Sequence, residues 1–525
     1  MALALFPLVS FLFLLPTSSV SQTVGNITVG ASLFAVENSS WISPSRDFAF
    51  GFHQLEHNKD LFLLAIWYNN ILEKTIVWYA NGDKPAPRGS KLQLTSDQGL
   101  VLNTPQGEQL WNTQSINGVV DSGVMDDSGN FMLLGSDSIL WESFKNPADT
   151  ILPSQSLDKG VFLSSRHSET NFTSGKFRMV LQSDGNLVLT TINLPSDHLN
   201  EHYYDFNTAG NSDQVVFNES GYLFVLRENN TKSILTSVVT GSAKDFYYRV
   251  TLDFDGLLIL YSYPKASNGD ASWTTVWSQP DNICIASKVT TSSGFCGFNS
   301  ICSINSGGRP ICECPKGYTL LDPTDQYGSC KPNFTQTCEK EPAAVEDLYD
   351  FQVLFNVDWP EADYALLEPF TEGQCRESCL QDCMCAVAIF RSGDKCWKKK
   401  LPLSNGRFDT GLDGAKALLK VSKGDVHVPP LSPDFPNQEM KKKDQDTLIL
   451  VLSLLLGSSG FVNFILVAAI CLGFYFIYQK KRKSTLPQNG GVVESNLRCF
   501  SYKDLVCLLP FEGGLSSMYT EVNEF

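Results

Sequence analysis

The chain holds 525 residues, more than one hydrophobic core can serve and enough for about three or four domains. Its formal net charge of −16, with only 18 % charged residues, excludes a general nucleic-acid binder, and a hydrophobic content of 43 % is that of ordinary globular protein. Of 15 cysteines, 12 lie between Cys284 and Cys396, an even number that suits complete pairing in an oxidising compartment.

Residues 1–21, MALALFPLVSFLFLLPTSSVS, are an apolar run to Pro16 followed by small polar residues. Ser19 and Ser21 satisfy the small-residue rule for cleavage before Gln22, so the segment reads as a secretory signal peptide without a basic n-region. Far downstream, residues 448–478 form a stretch of 31 residues with no charge. About 20 apolar residues cross a bilayer core as a helix, so a transmembrane helix is predicted here, its core at about 455–478. Lys480, Lys481, Arg482 and Lys483 follow as a stop-transfer signal would. Together the two segments predict a single-pass type I plasma-membrane protein with its N-terminus extracellular. The sequons at Asn26, Asn38, Asn171, Asn218, Asn229 and Asn333 all precede the span, where glycosylation is possible.

From Gln22 to about Pro280 the chain has no cysteine and reads as all-β. KLQLTSDQGLVL, VMDDSGNFMLL, RMVLQSDGNLVLT, FNESGYLFVL and TLDFDGLLILY each run apolar alternation into a glycine turn and out into a second apolar run. That is a hairpin signature, and its recurrence predicts repeats that bury their faces against one another.

RMVLQSDGNLVLT resembles the Q-x-D-x-N-x-V-x-Y signature of monocot mannose-binding (bulb-type) lectins. Gln182, Asp184, Asn186 and Val188 match, and Thr190 stands where Tyr is expected. FAFGF (48–52), LAIWY (64–68), IVWYANGDKP (76–85) and LWESFKNPADTILPSQ (140–155) are similar to stretches of the plant S-domain receptor-like kinases with a bulb-type lectin. The resemblance runs over about 22–504. It implies a β-prism lectin domain at 22–150 and a second, degenerate one at 151–280. It also implies carbohydrate-binding roles for Gln182, Asp184, Asn186 and Val188, since such side chains converge on sugar hydroxyls. The other repeats are eroded: Thr95 and Gly99 replace Gln and Asn beside Asp97 and Val101, and a second copy reads Asp126, Ser128, Asn130, Met132, Leu134. There the Asp and Asn are expected to serve the turn and the apolar residues the core. Binding of a protein or peptide is therefore expected ahead of mannose.

Residues 281–331 carry C-x11-C-x5-C-x9-C-x-C-x15-C, for which 15 pairings exist. CGFNSIC and CECPKGY resemble an EGF-like module, which implies Cys284–Cys302, Cys296–Cys312 and Cys314–Cys330. Neither zinc nor calcium is expected there. Further on, Cys375, Cys379 and Cys383 are four apart, so a helix would stack them on one face. With Cys338, Cys385 and Cys396 this region, 338–422, resembles a PAN/apple α+β module. That resemblance implies Cys375–Cys396 and Cys379–Cys385, leaving Cys338 to Cys383. Residues 423–446 are Pro-rich and charged and read as a stalk; 479–525 form a short cytoplasmic tail in which NLRCFSYKDL (496–505) resembles the segment before the kinase of this family.

No kinase feature follows Leu505. VAIF at Val387 lacks the lysine of V-A-I-K, and DFDG at Asp253 is not DFG. His198-Leu-Asn-Glu201-His202 fits the zinc-peptidase pattern H-x-x-E-H, but it follows Pro195 in a β-rich region and is expected to be a coincidence on a surface loop. The expected fold is a mainly β multidomain ectodomain: two β-prisms, an EGF-like module, a PAN/apple module and one transmembrane helix. No cofactor, metal or catalytic residue is expected. The expected function is a lectin-type receptor that recognises an extracellular glycan, peptide or protein ligand. It would signal through a partner or compete with full-length receptor kinases, alone or in homo- or hetero-oligomers with them. The alternatives are an incomplete record of an active receptor kinase and a mannose-type carbohydrate-binding protein.

Overall fold

In the computed structural model the described residues are 25–423, except 115, 194–195, 237–240, 267–270, 287–293, 336–347 and 392. The predicted signal peptide, the stalk beyond 423, the apolar stretch 448–478, the tail and Cys338 lie outside them. Among the described residues no helix is long and apolar enough to cross a membrane.

The repeated hairpins assemble into two prisms, each of three antiparallel sheets. In the first prism one sheet joins Ser40–Ile42, Phe48–Gln54, Leu61–Tyr68 and Ile76–Tyr79. A second joins Asn26–Thr28, Ser122–Met125, Phe131–Leu134 and Ile139–Glu142. A third joins Gln109–Asn112, Gly99–Asn103, Lys91–Thr95 and Ser32–Phe34. Alternation sends every second residue inward. Trp78, Trp111 and Trp141, one from each sheet, meet with ring centroids 6.0–6.2 Å apart and planes at 75°. Phe50 stacks on Phe131 at 4.3 Å beside them. No sheet can bury such a face alone, so the three close on one core.

The second prism repeats the plan. Its sheets are built on the hairpins Ser174–Leu181/Leu187–Asn193, Ser212–Phe217/Leu223–Arg227 and Phe246–Leu252/Leu258–Pro264. Four of the hairpin turns share one backbone. In each, the amide of the first residue donates to the carbonyl of the fifth: Asp126 to Asn130, Gln182 to Asn186, Asn218 to Tyr222 and Asp253 to Leu257, at 2.9–3.1 Å. The fourth residue is always glycine, with φ of 78–90° at Gly129, Gly185, Gly221 and Gly256. Only glycine takes that conformation without strain, which is why the turn glycine recurs through the sequence.

LFLLAIWY (61–68) departs from simple alternation because both of its faces are buried. Phe62, Leu64, Ile66 and Tyr68 enter the first core, while Leu63, Ala65 and Trp67 form an outer cluster against which Phe172 of the second prism packs. Tyr68 Oη donates to the Tyr248 carbonyl at 2.7 Å, Tyr247 Oη to Asp47 at 2.7 Å, and Trp273 Nε1 to Thr75 at 2.8 Å. The prisms are thus bonded as well as packed.

After the prisms the modules are small and cross-linked. The bridges are Cys284–Cys302, Cys296–Cys312, Cys314–Cys330, Cys375–Cys396 and Cys379–Cys385. Cys383 is also disulfide-bonded. A five-stranded sheet runs in the order Tyr349–Phe355, Lys416–Ser422, Val387–Arg391, Lys395–Lys399, Asp363–Leu367. Helix Glu372–Gln381 is tied to the strand Lys395–Lys399 by Cys375–Cys396 and opens with a Thr371/Gln374 capping box. It carries Cys375 and Cys379 but ends before Cys383, so the expected stack of three is a stack of two. Asp382 stops it: its backbone is extended, and its carboxylate accepts from the Met384 amide and pairs with Lys398. Cys302 in Ile301–Ile304 lies in register with Arg407, so two short strands of the following module, Arg407–Phe408 and Val357–Asp358, extend the sheet of the preceding one. The fully buried Trp359 seals this junction by donating from Nε1 to the Ser300 carbonyl at 3.0 Å.

Candidate functional site

The expected sugar residues sit on one hairpin of the second prism. Gln182 and Asp184 line a surface groove of about 520 Å3 with Val180, Lys159 and Leu199. Asp184 is exposed, and among the described residues its carboxylate accepts only the Asn186 amide, at 2.9 Å. The other two residues are not free for a ligand in the same way. Asn186 Oδ1 accepts the Thr208 amide at 3.0 Å, and Val188 is 1 % exposed, paired across the sheet with Val180. Thr190, in the place of the signature tyrosine, is buried and donates to the Asn200 carbonyl at 2.7 Å. Arg178, cross-strand from Thr190, lies over the Phe162 ring at 4.4 Å and pairs with Asp197 at 3.3 Å. The four signature positions are on one hairpin, then, but only Gln182 and Asp184 open onto the groove.

The corresponding turn in the first prism is closed. Asp126 Oδ1 accepts the Ser128 amide, the Ser128 hydroxyl and the Asn130 amide at 2.6–3.0 Å. Asn130 is 5 % exposed. Its Nδ2 donates to Glu142 at 2.7 Å, and its Oδ1 accepts the Ser143 hydroxyl and the Phe144 amide at 3.1 Å. In the turn at Asp253 the side chains serve another purpose. Asp253 accepts from Tyr261 Oη at 2.6 Å and from Arg309 at 2.8 Å, while Arg309 Nε stands 2.7 Å from Asp255. Arg309 lies beyond the prism, between Cys302 and Cys312, so these two buried acids anchor the neighbouring module. Burial pushes the Asp255 carboxyl up to about 7 against the pull of Arg309.

Sequence reasoning missed a recurring hydroxyl behind four of the hairpin turns. The amide that opens the return strand donates to a buried Ser or Thr: Leu100 to Thr113, Phe131 to Ser143, Leu187 to Thr208 and Leu223 to Thr236, at 2.8–3.0 Å. Aligning the repeats on their turns would have found these hydroxyls. His198 and His202 stand on the edge strand His198–Asp205, neither a helix nor the expected loop. Four residues along a strand separate them by about 13 Å, too far to share one ion. His202 instead faces Asp205 at 3.8 Å. Among the described residues there is no group of three or more His, Cys, Asp or Glu that would hold a metal.

Two β-prisms in tandem, followed by disulfide-stapled modules, define a multidomain protein of lectin type. Three family models match in order: D-mannose binding lectin over 75–176, S-locus glycoprotein domain over 199–321 and PAN-like domain over 345–405. None of these is catalytic. Residues 182–188 fall between the first two spans. The chain is 39 % identical over 522 residues to the G-type lectin S-receptor-like serine/threonine-protein kinase LECRK2 of Oryza sativa subsp. indica, covering 95 % of this chain and 63 % of that protein. It is 38 % identical over 468 residues to the kinase of the same description, RLK1, of Arabidopsis thaliana, covering 84 % and 54 %. Among solved structures, a Polygonatum cyrtonema lectin complexed with monomannoside is 20 % identical, over 23 % of this chain and 96 % of that one, at a TM-score of 0.18. The chain is similar over nearly its whole length to the G-type lectin S-receptor-like kinases, and it spans under two thirds of the length of these curated relatives.

Proposed function

We propose that the chain is a single-pass plasma-membrane receptor protein that binds an extracellular ligand on its second prism. The observation that carries this reading is the open hairpin at Gln182 and Asp184. A carboxylate and an amide are left accessible beside the apolar wall of Val180 and Leu199, whereas the corresponding turn of the first prism is closed by its own side chains. A shallow groove with few fixed polar groups suits an extended ligand better than one monosaccharide, whose hydroxyls need several donors and acceptors at once. Asn186 has spent its side-chain oxygen and Thr190 its hydroxyl within the fold. The ligand we favour is a peptide or protein segment, with an oligosaccharide as the second reading, favoured by the D-mannose binding lectin match.

The apolar 448–478 stretch and the sequons before it support a membrane-anchored, extracellular placement. A kinase is part of the names of the relatives. Here we propose that the chain acts in an oligomer with related receptors or competes with such receptors for ligand. The test is binding of the full chain to a glycan array and to a peptide library, each with Asp184→Ala. Peptide binding lost in the variant, without mannose binding, supports the first reading. Mannose binding lost in the variant supports the second. Binding that Asp184→Ala leaves unchanged removes the site.

A further inference from the structure

We propose that Asn171 carries an N-linked glycan whose first N-acetylglucosamine lies in the groove between the two prisms and braces them. The inference rests on the extracellular reading above. The groove has a volume of about 390 Å3 and is walled by Leu55, Leu61, Leu63 and Pro85 of the first prism and by Asn171 and Phe172 of the second. It lies at the rim of the outer apolar cluster that the doubly buried strand 61–68 presents.

The walls are held firmly. Phe172 packs edge-on against Tyr79 at 5.2 Å, and Arg166 lies 5.2 Å from its ring. Gly82 passes so close that a Cβ there would stand 2.0 Å from the Phe172 carbonyl. Asp83 accepts the Ser174 amide and hydroxyl at 2.8 and 3.0 Å. Asn171 Oδ1 accepts the Thr173 amide and hydroxyl at 3.1 and 3.0 Å, which fixes its side chain at the groove edge, and its Nδ2 has no hydrogen bond among the described residues.

An Asn-Phe-Thr sequon whose amide is free and whose next residue lines a cavity identifies the occupant as its own sugar. In the modification an N-glycosidic bond forms from Asn171 Nδ2 to the anomeric carbon of a lipid-diphosphate-linked oligosaccharide. Nδ2 loses a proton and the lipid diphosphate leaves. The pyranose then sets its C–H face on Phe172 and the leucines and turns its hydroxyls to solvent. Asn229 is the internal control. It makes the same side-chain turn, with Thr231 donating its amide at 3.0 Å and its hydroxyl at 2.6 Å, but it is exposed and lines no part of this groove.

The experiment is glycosidase release at native fold, followed site by site by mass spectrometry, on the full chain made in a mammalian host. Peptide N-glycosidase is expected to free Asn171 at least about tenfold more slowly than Asn229 and Asn333, the factor that ~1.4 kcal/mol of docking gives. After denaturation the rates become equal. Leu61→Arg, which fills the groove, is expected to bring Asn171 up to the rate of Asn229. Equal native rates in the unaltered protein, or an unoccupied Asn171 beside occupied Asn229 and Asn333, overturn the inference alone. A protein with no glycan at any sequon overturns the extracellular reading as well.

Discussion

The turns at Asp126–Asn130 and Gln182–Asn186 share a backbone and differ in where their side chains are spent. In the first prism Asp126 accepts three hydrogen bonds and Asn130 is tied at both ends of its amide. In the second, Asp184 accepts one and faces solvent, and among the described residues only the oxygen of Asn186 is engaged. One motif therefore serves as a clamp in one prism and as the edge of a groove in the other. The turn at Asp253 shows a third use, an ionic anchor for the next module. A hairpin that is stable through its backbone and its glycine leaves its side chains free to diverge.

The comparison can be broken by substitution, most severely at the anchor. Arg309→Ala leaves Asp253 and Asp255 buried without their cation. It is expected to cost about 3–5 kcal/mol in urea unfolding at pH 8, because an uncompensated buried charge is expensive. A loss near zero would mean that the ion pair is not what holds the module. Asn130→Ala strands Ser143 and Phe144 and is expected to cost ~2–3 kcal/mol, against ~1 kcal/mol for Asn186→Ala. Equal losses would erase the distinction between clamp and groove.

Acid should sharpen the picture. Asp255 holds its proton more tightly in the folded than in the unfolded chain, so its contribution is fully present below the ordinary carboxylate pKa and is lost as pH rises through about 7. The expected fall in stability between pH 5 and pH 8 is on the order of 2 kcal/mol, and Asp255→Asn should flatten it. A pH profile that the variant leaves unchanged would assign the effect elsewhere. The smallest effect belongs to Asp184→Ala, expected within about 0.5 kcal/mol of the parent as for other exposed sites, with Asp126→Ala costing ~1–2 kcal/mol in parallel thermal melts.

Much of the fold was legible because it rests on short-range rules. Gly129, Gly185, Gly221 and Gly256 mark turns that only glycine closes without strain, and the alternation around them names the strands. Less of the site was legible. Gln182 and Asp184 could be named from their spacing, but not the loss of Asn186 to Thr208 or of Thr190 to the Asn200 carbonyl, since both partners come from elsewhere in the sheet. The closing of Asn130 by Glu142 and Ser143 was hidden for the same reason. The junction strands Val357–Asp358 and Arg407–Phe408 are two residues each, too short to show any periodicity. His198 and His202 fit a helical spacing in the sequence, and the sheet drew them out along an edge strand.

By itself the sequence determined a chain of glycine-turn hairpins followed by a cysteine-rich region, because backbone sterics, alternation and thiol count act locally. Only the tertiary structure decided which hairpin stays open, which acids become an anchor and which apolar strand is covered on both faces. Those outcomes depend on partners brought together by folding, and a buried polar group takes whatever partner the fold places within hydrogen-bond reach.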